Sequence, residues 1–201
     1  MGFDLNGLDP YNPNNLKPPF MDWSSQDITE EDKKKYFKAS DKFYKDVRGW
    51  YFRANVWYWR PIWNFVCSFC DNILSETDME RGNYNDMHKI SKTKAKRIAI
   101  RLRKRIKDGT AQKYEDNFVE RSTKAKKLNA AIQEKLDIIS DEAKRVTGDS
   151  KLAPIGFPEP YKTQWDDTYA KKSWDNSYPF SVEYLSEFAD FCEESGGFEI
   201  G

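Results

Sequence analysis

The chain of 201 residues has no apolar run of the roughly 18 residues that a membrane-spanning helix needs. Its beginning, MGFDLNGLDP, lacks the basic start and apolar stretch of a secretory signal. Asn6 stands where an N-myristoylation signal opening at Gly2 carries Ser or Thr. Cysteine is scarce: three residues, an odd number, do not make a disulfide framework. There is one histidine, and no GxSxG, HExxH, GxGxxG or GxxxxGK[ST] is present. Net charge is absent too, with 33 basic residues against 33 acidic ones, so total charge selects no partner. These absences lead us to expect a cytoplasmic protein with no membrane association and no cofactor, in which binding ranks ahead of catalysis.

What is present is concentrated. Nine of the 20 residues from Trp50 to Phe69 are aromatic, so a dense local core sits among long charged stretches. From Lys89 to Lys107 there are ten basic residues and no acidic one, and from Glu183 to Glu199 six acidic residues and no basic one. Such blocks either attract separate partners or face each other within the fold.

Residues 1–27, rich in Asn, Pro and Gly, read as extended chain over the surface of the domain. Thr29 followed by Glu30, Glu31 and Asp32 caps a helix whose apolar face is Tyr36, Ser40, Phe43, Tyr44 and Val47. A short helix or turn is expected near 53–59, and Pro61 suits the first turn of a buried helix over 61–74. Ser75 to Lys89 reads as a loop. Ser91 caps a helix over 92–107 with Ala95, Ile98, Ala99, Leu102 and Ile106 on its apolar face. From Ala111 to Val146 a narrow stripe of Tyr114, Phe118, Ala125, Leu128, Ile132, Leu136, Ile139, Ala143 and Val146 marks a long helix over 111–147. A stripe that narrow suits a protruding arm or a self-association seam. Residues 149–180 read as an irregular segment pinned by aromatic rings, and Ser181 caps a last helix. With no clean alternating pattern, the expectation is a single all-α domain with at most a minor β hairpin.

Arg53, Asn55 and Arg60 stand among the rings Trp57 and Trp59, where stacking and cation–π contact can hold a base and its phosphate. The alternative is that the rings are core and the arginines pair with acids. Downstream, Asn85, Asp86 and His88 lead into a helix start bearing Ser91, Lys92, Lys94 and Arg97. Lysines in a first turn oppose the helix dipole unless something negative sits there, which a bound phosphate supplies. The alternative is a solvated face neutralised by the acidic block. Cys67, Cys70, Cys192 and His88 make a conceivable zinc set, but the CxxC falls inside an apolar helix, where buried structural thiols are commoner.

The opening GFDLNG, the block YFRANVWYWRPIW, the loop GNYND and the ending YPFSVEYLSEFADFCEESGGFEI together resemble a family of proteins encoded by tailed bacteriophages, prophages and some bacteria. In that family the block reads close to YFRNNVWWWRPLW and the loop close to GxxNDG. The resemblance covers residues 1–8, 50–114 and 176–200, and departs at Met87, where the family has glycine. No activity is attached to the family, so it implies a phage accessory protein in the host cytoplasm and no particular chemistry. On this basis the expected function is non-catalytic recognition of a phosphate-bearing, nucleotide-like ligand, for instance a host signal sequestered as counter-defence. The ligand would meet Arg53, Asn55, Trp57, Trp59, Arg60, Asn85, Asp86, His88, Ser91, Lys92, Lys94 and Arg97. Two alternatives stand beside it: a partner protein or a second copy held through the 111–146 helix, and nucleic acid held by the basic 89–107 helix.

Overall fold

Residues 2–25, 27–175 and 178–201 are described by a computed structural model. Four short strands form an antiparallel sheet: β1 (Gly2–Gly7), β2 (Tyr51–Asn55), β3 (His88–Ser91) and β4 (Gly197–Ile200), in the order β2-β1-β4-β3. Leu5 lies opposite Phe52 on one side and Ile200 on the other, and Ile90 lies opposite Phe198. Because side chains alternate along a strand, Phe3, Leu5, Phe52, Ala54, Ile90, Phe198 and Ile200 all fall on one face, and all are buried. The other face carries Asp4, Asn6, Tyr51, Arg53, Lys89 and Glu199 and is polar, as a one-sided antiparallel sheet allows.

Helices cover the apolar face. These are α2 (Val56–Phe69), α4 (Lys92–Lys107) and α7 (Val182–Glu194), accompanied by α1 (Glu30–Asp46) and the short α3 (Glu76–Arg81). Thr29, Ser75, Ser91 and Ser181 each accept a backbone N–H of the helix they open, so a hydroxyl marks the start of α1, α3, α4 and α7. Trp59 packs against Phe3, Trp63 and Phe188, and Phe188 in turn meets Phe52 and Phe198. Trp59 and Trp63 donate their indole N–H groups to the carbonyls of Gly82 (2.8 Å) and Met79 (2.9 Å), which fixes α3 and its following turn onto α2.

The chain forms two compact units, residues 1–115 with 180–201, and residues 116–179. The sheet belongs to the first, together with the opening turns of α5 (Thr110–Thr147), where Tyr114 packs against Phe65 and Phe180. In the second, Asn129 of α5 clasps Ser173 through two hydrogen bonds. Trp165 and Tyr169 of α6 (Tyr161–Tyr169) stack at 4.8 Å. Ala125, Ile132, Leu136 and Ala143 of the narrow stripe are already buried in the single chain, while Leu128 and Val146 are exposed.

The expectation of an all-α chain gives way to a mainly helical fold on a four-stranded sheet. GFDLNG is a central strand rather than surface chain, and the loop over 75–89 contains α3. Where a turn followed by a separate helix was expected, α2 runs unbroken from Val56 through Pro61. Asn55 supplies its cap, accepting from the Trp57 N–H at 2.9 Å, so Pro61 falls in the second turn and removes the hydrogen bond to the Trp57 carbonyl. Among the described residues no helix is long and apolar enough to cross a membrane.

Gly82 has helical backbone angles (φ −62°), yet a Cβ there would overlap the Trp63 indole ring. Gly82→Ala is therefore expected to destabilise the protein by about 1–3 kcal/mol, the cost of overpacking, although an unhindered helical Gly→Ala change is favourable. Urea unfolding compared with the wild type checks it; equal or higher stability in the variant contradicts the packing.

Candidate functional site

Two places in the first unit concentrate charge. The first is the carboxylate of Asp78, a residue only 3% exposed. As the third residue of α3 it accepts from the Ser75 N–H and hydroxyl at 2.8 Å each, completing a capping box. His88 Nε2 from β3 meets its other oxygen, Oδ1, at 2.9 Å, and Lys94 of α4 donates to Oδ2, the oxygen that Ser75 holds. Burial pushes the Asp78 carboxyl up, but the hydrogen bonds from Lys94, Ser75 and His88 outweigh burial and hold it well below the usual carboxylate range. This arrangement binds α3, β3 and α4 together.

The second is an open cavity of about 730 Å3 lined by the segment Asp9–Pro13, Arg48, Lys92, Lys96, Glu193, Glu194 and Gly196. Its wall is backbone set against backbone: the N–H groups of Leu8, Asp9 and Tyr11 donate to the carbonyls of Gly197, Ser195 and Glu194. Gly49 (φ 76°) and Gly196 (φ 65°) adopt left-handed angles there. A Cβ on either would overlap the opposing chain, at Glu194 and Asp9 respectively. Three cations line the cavity. Arg48 pairs with Glu194 at 3.2 Å and Lys92 with Asp9 at 2.7 Å, while Lys96 has no carboxylate partner among the described residues. The hydrogen bond and charge of Lys92 hold the Asp9 carboxyl below its ordinary value. Burial, joined by repulsion from Asp190 and Glu193 against the pull of Arg48, lifts that of Glu194.

The residues singled out in the sequence fall in several settings. His88 and Lys94 meet at Asp78, and Lys92 lines the cavity. Ser91 caps α4, and Arg97 donates to the Asn72 carbonyl at 3.3 Å. Asp86 is paired with Arg81 at 2.7 Å, and Asn85 donates to the Gly2 carbonyl at 2.8 Å. Arg53 lies on the polar face of the sheet, its carbonyl accepting from the Tyr184 hydroxyl. Asn55 caps α2, Trp59 is core, and Trp57 and Arg60 occupy the solvent side of α2. Met87 has φ 62°, in the left-handed region that favours glycine. The lysines that open α4 against its dipole have their negative charge from within the chain, Asp9 for Lys92 and Asp78 for Lys94. The charge blocks also face each other in part, through Arg103 with Asp190 and Glu193, and Lys89 with Glu199.

Sequence reasoning missed Asp78, Arg48 and Lys96. Asp78 had a signal, since Ser75-Glu76-Thr77-Asp78 is a capping box; Arg48 and Lys96 had none, because the cavity depends on non-local pairing. The three cysteines are free thiols. Burial pushes Cys67 up to about 11, Cys70 up to about 12 and Cys192 well above its ordinary value, so none is poised as a thiolate. His88 is engaged with Asp78, and among the described residues no three His, Cys, Asp or Glu side chains gather as metal ligands.

Asp78→Asn is expected to cost about 3 kcal/mol or more at neutral pH, because Lys94 is left without its counter-charge. A carboxyl depressed on folding contributes stability that is fully present above its unfolded pKa near 4 and lost as the pH falls towards its folded value. The gap between wild type and variant should thus narrow progressively below about pH 4. Chemical denaturation at a series of pH values measures it, and a gap independent of pH contradicts the assignment.

Comparison of the chain with protein-family models, with curated proteins and with solved structures gave no match, and the functional reading rests on the chemistry of these residues.

Proposed function

We propose that the protein is a non-catalytic binding module for a phosphate-bearing small molecule, held in the cavity between the Asp9–Pro13 segment, α4 and the end of α7. The observation that carries this reading is the convergence of Arg48, Lys92 and Lys96 on one cavity of about 730 Å3, within the range of small-ligand sites. Arg48 suits bidentate contact with a phosphate, and the two lysines supply charge without fixed geometry. Lys96 is available as it stands. Lys92 and Asp9 are both exposed, and pairs of that kind exchange partners at little cost, while Arg48 is itself exposed although its partner Glu194 is largely buried. Tyr11, exposed on the lining segment, offers a ring for a planar group such as a base.

This keeps the ligand class inferred from the sequence and moves its seat: of the residues singled out there, Lys92 lines the cavity. On the family resemblance, the module is a phage accessory protein in the host cytoplasm, and a sequestered nucleotide signal is the form the reading takes there. Pairing of the basic block within the chain supports a small ligand over nucleic acid held along α4. The burial of Ala125, Ile132, Leu136 and Ala143 leaves the stripe on α5 less to offer a partner.

A thermal-shift series with inorganic phosphate, mononucleotides and cyclic dinucleotides tests the proposal. A ligand at about a hundred times its Kd adds about 2.7 kcal/mol of stability, which raises Tm by about 5–10 °C in a chain of this size. Lys96→Ala and Arg48→Ala should each reduce the shift, and the shift should shrink with added salt. No rise with any phosphate ligand, or a rise that both variants retain in full, sinks the reading.

A further inference from the structure

The first unit has a second surface that neither its packing nor the cavity accounts for. Four rings follow one another across α1 and onto the polar face of the sheet. Trp23 sits 6.1 Å from Phe37, and Tyr44 stacks on Tyr51 at 5.4 Å with 30° between the planes. Phe37 and Tyr44 are seven residues apart on α1, hence two turns or about 10 Å along the same side. Trp23 is 53% exposed, Phe37 55% and Tyr44 40%. Rings so exposed contribute little to a core, and the buried residues of this stretch, Ser40, Phe43 and the C-cap Val47, border the row along one side.

The row is flanked by positive charge. Lys34 lies one turn from Phe37, Lys38 and Lys45 continue from it along the adjoining side of α1, and none of the three has a carboxylate partner among the described residues. Asp41 shares that side, whereas Glu30 and Glu31 are taken up by Lys33 and Lys35. At the far end Tyr51 donates its hydroxyl to Asp4, and Arg53 projects from the same face of β2 beside it. The row therefore ends among polar groups, not on a continuous apolar patch.

We propose that Trp23, Phe37, Tyr44 and Tyr51 form a stacking platform for single-stranded nucleic acid, with Lys34, Lys38, Lys45 and Arg53 neutralising its phosphates. Exposed rings bordered by free cations are what an unpaired strand needs: bases stack on the π faces regardless of sequence, and the backbone tracks the charge. A duplex hides its base faces and gains only the electrostatic part. A membrane surface calls for an amphipathic face with contiguous apolar residues, which the polar end of the row interrupts. The platform shares no residue with the cavity.

Fluorescence anisotropy with labelled oligo-dT, run at two salt concentrations on the full chain, tests this. Binding is expected in the micromolar range, with a duplex of the same length bound at least about tenfold more weakly. Phe37→Ala and Trp23→Ala should each weaken oligo-dT binding by about tenfold or more, as loss of one stacked base predicts. Lys34→Glu with Lys38→Glu, both on an exposed helix face, should weaken it further and flatten its salt dependence. This charge-reversed variant decides the matter if removal of a ring unfolds the protein. Lys96→Ala should leave oligo-dT binding intact, which separates this site from the cavity whatever the fate of the small-ligand reading. The proposal is overturned by no oligo-dT binding, by equal affinity for duplex, by variants that bind like wild type, or by loss of binding in Lys96→Ala. Binding to phosphatidylserine vesicles without binding to oligo-dT also overturns it, and assigns the face to a membrane.

Discussion

Burying the Asp78 carboxylate takes a charge out of water at a cost of several kcal/mol, and the structure offsets that cost with the cap of its own helix and with two further elements brought to it. Ser75 belongs to the turn before α3, His88 to β3 and Lys94 to α4. If any of them is misplaced, the charge is left wanting a partner. This makes the relative placement of α3, β3 and α4 close to all-or-none, and the indole hydrogen bonds from Trp59 and Trp63 fix α3 and the turn after it from the side of the core. The sheet edge at β3 and the start of α4, where both the cavity and the basic block begin, inherit their positions from this one carboxylate.

The basic block shows how folding and binding compete for the same charges. Ten cations within 19 residues look like an invitation to nucleic acid when read along the chain. In three dimensions most are claimed: Lys89, Lys92, Lys94, Arg103 and Arg105 by carboxylates, and Arg97 and Arg101 by backbone carbonyls. What remains for a ligand is smaller and more localised than the sequence suggests. By contrast, α1 has a balanced composition, yet pairing within its first turns leaves Lys34, Lys38 and Lys45 uncommitted. Net composition was a poor guide to either surface.

Legibility followed the range of the interactions involved. Helices α1, α4 and α7 were readable because a hydroxyl cap and a 3.6-residue pattern are local signals, and Thr29, Ser91 and Ser181 all cap as expected. The sheet was not readable. Its strands have four to six residues, too few for alternation to stand out, and β1 pairs with segments about 50 and 190 residues away. Pro61 misled for a related reason: it usually marks a helix start, but here Asn55 caps six positions earlier and the packing of Trp59 and Trp63 holds the second turn together. For the candidate site, Lys92 was named from local reasoning, whereas Arg48 and Lys96 reach the cavity through pairing that no local pattern encodes.

The close approaches at Gly49 and Gly196 restrict how this protein can change over generations. A side chain at Gly49 would press into the end of α7 and one at Gly196 into the strap at Asp9, so these two positions of the cavity's frame resist point mutation. The side chains facing into it are under no such restraint. Diversification among descendants should accordingly leave the vessel alone and alter its lining, by exchange at Tyr11, Arg48 or Lys96 on an unchanged frame.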